Sequence, residues 1–163
     1  LSQLGSEVSY SKILFTYEYY STQFRIHTFH PKITFGFADE TLPLIEQFSF
    51  GGQESFFGLR ADDRRGRQIF LINLEYRLAL PFKVIFDSYM IFRYDLGSVW
   101  RIPEDIRLRD FHHGIGIELA LDTPIGPAQF AVGRSFLFRR DLPNNPLSFG
   151  PYQVYFSFGY RFY

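Results

Sequence analysis

The chain contains no cysteine. Disulfides, thiolate metal sites and cysteine nucleophiles are therefore excluded. Lysine is scarce, confined to Lys12, Lys32 and Lys83, so positive charge rests mainly on arginine. The two signs cancel, 17 Lys and Arg against 17 Asp and Glu. A neutral chain has no bulk positive field of the kind that binds nucleic acid, and no nucleic-acid partner is expected. No run approaches the roughly 18 apolar residues of a membrane helix. No stretch has the form of a signal peptide, and the chain opens on Leu1 rather than Met, as a mature or partial product does. Gly51-Gly52…Gly58 is not followed by Gly-Lys-Ser/Thr, and no Gly-x-Ser-x-Gly elbow occurs. No catalytic residue, cofactor or metal is expected from the residues present.

What the chain has in excess is aromatic side chains. Phe and Tyr number 21 and 11, in 163 residues. They are spaced at a period of two. In Tyr152–Tyr163, the residues Tyr152, Val154, Phe156, Phe158, Tyr160 and Phe162 share one face, opposite Gln153, Ser157, Gly159 and Arg161. Alternate side chains of a strand point to opposite faces, so this is a long strand with one apolar side. A soluble edge strand of that length invites aggregation. Lipid on one face and a polar lumen on the other account for it better.

The same alternation recurs. Gln68–Leu80 sets Phe70, Ile72, Leu74, Tyr76 and Leu78 against Asn73, Glu75 and Arg77. Lys83–Asp95 sets Val84, Phe86, Met90, Phe92 and Tyr94 against Asp87, Arg93 and Asp95. Phe111–Asp122 and Gly126–Phe138 behave alike, except that Arg134 falls on the apolar side of the latter. Val8–Tyr20 and Phe24–Ala38 are weaker. The second changes phase near Pro31, where a bulge or extra turn is expected because Pro donates no ladder bond. The fold class is all-β: an antiparallel transmembrane β-barrel with about seven or eight strands in this chain.

The connections alternate in length. Those at 20–24, 80–83 and 122–126 are tight, whereas 39–67, 96–110 and 139–151 are long and polar. Tight turns at one end and long loops at the other are a barrel signature, with the tight turns and the C-terminus periplasmic. About seven strands do not complete a barrel of even strand number. Preceding strands or a second copy would close it. Residues 1–163 form one barrel domain, and the loop at about 39–67 folds inward.

Several motifs then resemble, in order, the C-terminal half-barrel of the BamA/TamA-type outer-membrane superfamily, also called the bacterial surface antigen family. Leu44-Ile-Glu-Gln-Phe-Ser-Phe-Gly-Gly52 is similar to the approach to its inward loop, and Asn73-Leu-Glu-Tyr-Arg77 to the strand that follows. Arg93-Tyr-Asp-Leu-Gly-Ser-Val-Trp100 resembles its Phe-x-Asp-x-Gly-x-Val-Trp strand end. Gly114-Ile-Gly-Ile-Glu118, Asp122-Thr-Pro-Ile-Gly-Pro127 and Ser157-Phe-Gly-Tyr-Arg-Phe162 resemble later strands, a turn and the terminal assembly signal. There are two departures. Phe57 stands where the loop motif carries arginine, within Phe56-Phe57-Gly58-Leu59. Tyr163 lies one residue past the usual terminal aromatic.

The resemblance implies that Glu75 and Asp95 are the lumen acids that the loop arginine would meet. Their partner here must be another residue, and Arg60 is the nearest in sequence. The implied site set is a lumen ion-pair network of Glu75, Asp95, Arg60, Arg77, Arg93 and Asp87. With it go a loop motif of Gly51, Gly52, Phe57 and Gly58, and an assembly signal of Phe156, Phe158, Gly159, Tyr160, Phe162 and Tyr163.

Blander readings compete. The charged wall residues suit an acid/base pair, but parity explains all of them as lumen lining. Asp62-Asp63-Arg64-Arg65 reads either as a solvated turn or as part of the inward loop. His112 and His113 are strand neighbours pointing opposite ways, which disfavours a shared metal, and His27 and His30 read as loop or interface histidines. Trp100 and Tyr94 suit an aromatic belt.

The resemblance implies outer-membrane protein insertion or translocation in a Gram-negative outer membrane. Its partners would be membrane lipid, and barrel assembly machinery engaged through the last strand. An alternative within the family is the membrane anchor of a patatin-like phospholipase whose catalytic domain lies N-terminal to this chain. A soluble β-sandwich or lipocalin-like binding domain is the reading from another class.

Overall fold

The computed structural model describes residues 9–81, 85–139 and 146–159. Ten strands form in chain order: β1 (Lys12–Glu18), β2 (Ser21–Gln23), β3 (His27–Ala38), β4 (Phe48–Phe50), β5 (Arg64–Gly66), β6 (Gln68–Ala79), β7 (Asp87–Trp100), β8 (His112–Thr123), β9 (Gly126–Phe138) and β10 (Leu147–Phe158). The helical elements among the described residues are single turns at Leu44–Glu46, Pro103–Asp105 and Leu108–Asp110. None is long and apolar enough to cross a membrane.

One antiparallel sheet runs in the order β1-β3-β6-β7-β8-β9-β10, with β2 also on β3. The other two strands, β4 and β5, pair as a separate hairpin within the segment from 39 to 67. Apart from the β4–β5 hairpin inserted between β3 and β6, neighbours in the sheet follow one another along the chain, as in a meander. The sheet is not closed: β1 and β10 are its two edges among the described residues.

The side-chain pattern is inverted relative to a soluble protein. On the convex face, Phe92, Ile115, Ile117, Leu119, Phe130, Val154 and Phe156 are exposed, Phe156 by 72%. On the concave face, Asn73, Arg93, Asp95 and Glu118 are buried. Burial of apolar area ordinarily drives folding. Bare apolar residues on every long strand therefore mean that water is not the solvent of that face.

What fills the concave side is the 39–67 segment. Phe48, Phe50 and Phe56 cluster with Ile69 and Leu71, which point inward from β6. The Phe50 and Phe56 rings lie 4.5 Å apart. Each fully buried Phe contributes about 1.5–3 kcal/mol relative to exposure, so the segment has enough apolar contact to stay packed.

Three expectations shift in the structure. First, β3 crosses Pro31 without a bulge, pairing with β6 in unbroken register from His27↔Leu78 to Phe37↔Gln68. The phase change arises instead at a three-residue turn, Phe24–Ile26, where Phe24 and Arg25 adopt positive φ of 51° and 61°. The missing Pro31 N–H is felt on the other side. The strand facing β3 is interrupted at Tyr19–Tyr20, so β1 and β2 are two parts of one line. Second, β7 begins at Asp87, and residues 82–84, including Lys83 and Val84, lie outside the described residues. Third, β10 begins at Leu147, not Tyr152, because a bulge between Phe149 and Tyr152 carries pairing past Pro151. The first eight residues, including Val8, also lie outside the described residues.

Candidate functional site

The 39–67 segment descends along the concave face and turns at Phe56-Phe57-Gly58. Its tip is held by groups from four strands. The Phe57 N–H donates to an Asp95 carboxylate oxygen at 2.6 Å. Asp95 also accepts from Asn73 Nδ2 at 2.9 Å and Arg93 Nε at 3.0 Å. Asp95 is fully buried, so each of these charge-assisted bonds offsets desolvation.

The Arg93 guanidinium does three things at once. It pairs with Asp95 and, through Nη1, with Glu75 at 3.4 Å. It donates to the loop carbonyls of Gln53, Glu54 and Ser55. It lies over the Phe57 ring, 5.3 Å from its centroid. The cation expected to descend from the loop thus rises from the wall.

Phe57 occupies a socket made by glycines. Gly116 and Gly133 face one another across β8 and β9. A Cβ on either would come within 2.3 Å of Phe57 ring carbons, so the ring fills the space two side chains would need. Gly58 follows at φ +85°, where L-residues are strained, and its Cβ position lies 2.3 Å from the Arg134 carbonyl carbon. Only glycine allows that approach. Tyr155 of β10 closes the far side. Its hydroxyl accepts from Gly58 N–H at 2.9 Å and donates to the Leu59 carbonyl at 2.6 Å. Its ring lies 5.0 Å from Phe57. One loop tip is therefore tied to β7 through Asp95 and to the edge strand β10 through Tyr155.

Of the expected ion-pair set, Glu75, Asp95 and Arg93 come together. Arg60 does not join them. It is exposed, because the chain has already turned back at Gly58 and the Arg60 carbonyl sits beside Gly51. Arg77 lies further along the wall and stacks on Tyr89 at 3.9 Å. Asp87 is exposed at the start of β7. Gly51 and Gly52 take positive φ where the loop doubles back, and the Gly52 N–H donates to the Leu59 carbonyl. Phe156 and Phe158 stand exposed on the convex face and Gly159 follows at positive φ, whereas Tyr160, Phe162 and Tyr163 lie outside the described residues.

The histidines are dispersed. His30 bridges Glu75 at 3.2 Å and Glu18 at 3.1 Å, and His27 meets the Tyr76 hydroxyl. His113 bonds Tyr94 at 2.7 Å, and His112 bonds the Asp110 carbonyl at 3.0 Å. Near the top of the loop, Asp62 accepts from Ser49 and pairs with Arg65 at 3.3 Å. The Ser49 hydroxyl first, then Arg65, holds the Asp62 carboxyl below its usual range.

Sequence reasoning missed Asn73, Tyr155, Gln53 and the glycine socket. Gln53 reaches Glu118 at 3.1 Å. A signal for the socket was present: Gly114, Gly116 and Gly133 all have lumen parity, on adjacent strands.

A sheet that is apolar outside and charged within, with a long loop latched to its inner face, is the construction of an outer-membrane barrel wall. The chain belongs to the Omp85 superfamily, whose domain model matches residues 1–162. That superfamily comprises outer-membrane proteins and is involved in protein insertion and translocation. No curated protein matches the chain.

Proposed function

We propose that this chain is the barrel wall of an outer-membrane insertion or translocation device. The observation that supports this most is the pairing of two features on one strand. β10 is the last strand of the sheet among the described residues, the one that would meet a barrel's first strand at the seam, and it is also the strand that Tyr155 ties to the inward loop. When a closing seam parts, its last strand presents unpaired backbone groups to which an extended segment adds by β-augmentation. The Asp95–Phe57–Tyr155 latch then sets the position of that edge from within. The barrel lies in a Gram-negative outer membrane with lipid on its convex face. It is closed by preceding strands or a second copy, and barrel assembly machinery reads its last strand through Phe156 and Phe158.

The test is insertion of an unfolded outer-membrane β-barrel into vesicles carrying the full chain. Faster insertion than into protein-free vesicles is expected, with the gain reduced by Tyr155→Phe. Equal rates with and without the chain would remove the insertion reading.

A further inference from the structure

Arg134 stands where alternation calls for an apolar side chain. On the convex face, β9 otherwise carries Phe130, Val132, Phe136 and Phe138. Among the described residues, Arg134 is the one arginine, lysine or carboxylate on that face of β6 to β10. A charged group facing hydrocarbon is costly, and a persistent one points to function.

The fold accommodates it deliberately. β10 inserts one extra residue between Phe149 and Tyr152, so that Gly150 and Pro151 stand against the single Ser135 of β9. The bulge turns the Gly150 carbonyl toward Arg134, whose Nε donates to it at 2.7 Å. The guanidinium carbon then sits 4.6 Å from the Phe149 ring centroid and 4.8 Å from that of Tyr152. Two rings and one carbonyl fix the fork. Nη1 and Nη2 have no protein acceptor among the described residues. Four N–H donors are thus presented, pre-oriented, to whatever covers the convex face.

Depth identifies the occupant. From the β8–β9 turn at Ile125 to Arg134 is roughly 30 Å of strand at ~3.3 Å per residue. A tilt of about 40° reduces this to ~23 Å, close to the ~25 Å apolar band of such barrels. The lower limit is apolar through the turn tips themselves: Phe24 is 86% exposed, Ile85 77% and Ile125 74%. Hydrocarbon therefore fits between the turn tips and Arg134. The free fork lies at headgroup level on the long-loop side, with Tyr152, Phe136 and Phe149 as the aromatic belt around it.

We infer that Arg134, framed by Phe149, Tyr152 and the Gly150 carbonyl, binds the phosphate of a membrane lipid in the leaflet at the long-loop end. The planar fork suits bidentate phosphate recognition. Headgroups with net negative charge are preferred over zwitterionic ones, whose ammonium would lie near the guanidinium. This inference rests on the barrel reading.

The test is solid-state NMR of the full chain, with arginine guanidinium 15N labels, in phosphatidylcholine and phosphatidylglycerol vesicles. Dephasing of a guanidinium signal by lipid 31P is expected, and Arg134→Gln should abolish that signal. Spin-labelled phosphatidylglycerol should associate about fivefold better with the wild type than with Arg134→Gln, equivalent to the ~1 kcal/mol of one arginine at a membrane surface. A chain that inserts but shows no Arg134-dependent dephasing would overturn the site alone. A chain that does not insert would overturn the barrel reading and the site with it. Equal 31P contact from inorganic phosphate in phosphorus-free detergent would make this a free-phosphate site and overturn the lipid assignment.

Discussion

Asp95 joins the loop tip to the wall. It is a carboxylate with no solvent exposure, and it accepts from a backbone amide, an amide side chain and a guanidinium. Asp95→Asn would leave Arg93 buried with Glu75 as its one remaining ion-pair partner among the described residues. A loss of about 3–5 kcal/mol is expected, the scale for breaking a buried pair, read by denaturant titration in detergent. A double-mutant cycle should couple Asp95 to Arg93 and not to exposed Arg60; coupling to Arg60 would refute the geometry. Asp62 sets a pH limit on the upper loop. Its folded carboxyl lies below the ordinary 3.8, so its contribution is complete above that value and is lost as pH falls through the lower folded one. Amide exchange around Ser49 and Asp62 should accelerate only at acid pH, and Asp62→Asn should remove that dependence.

At the scale of elements, the loop and the wall are made for each other. Gly116 and Gly133 leave a hollow that Phe57 fills. Gly116→Val would place side-chain atoms where the ring lies, and overpacking of this kind costs about 1–3 kcal/mol. The expected result is release of the loop tip, seen as protease cleavage between Gln53 and Arg60, with the sheet retained. Cleavage no faster than in the wild type would argue against the socket. The long strands were legible because parity is a local property: Glu75, Arg93, Asp95, Ile117 and Phe130 reveal their faces from spacing alone. The loop's anchor was not. Choosing between Arg60 and Arg93 requires knowing that Gly58 reverses the chain before Arg60 can reach the wall. The bulge at Gly150-Pro151 was hidden similarly, and with it the reason for Arg134. An extra residue in one strand is invisible until its partner is in place.

At the scale of the whole molecule, one distribution underlies the account: apolar residues on the convex face, and charge, glycine and the latched loop on the concave one. The chain's lack of cysteine allows single cysteines to be introduced at Ile117, on the convex face, and Gln153, on the concave face. Spin labels there can be compared in phospholipid vesicles by collision with oxygen, which concentrates in hydrocarbon, and with a water-soluble nickel complex. Oxygen-dominated relaxation is expected at Ile117 and nickel-dominated relaxation at Gln153. Equal accessibility at the two positions, or a folded monomer in buffer without amphiphile, would contradict it.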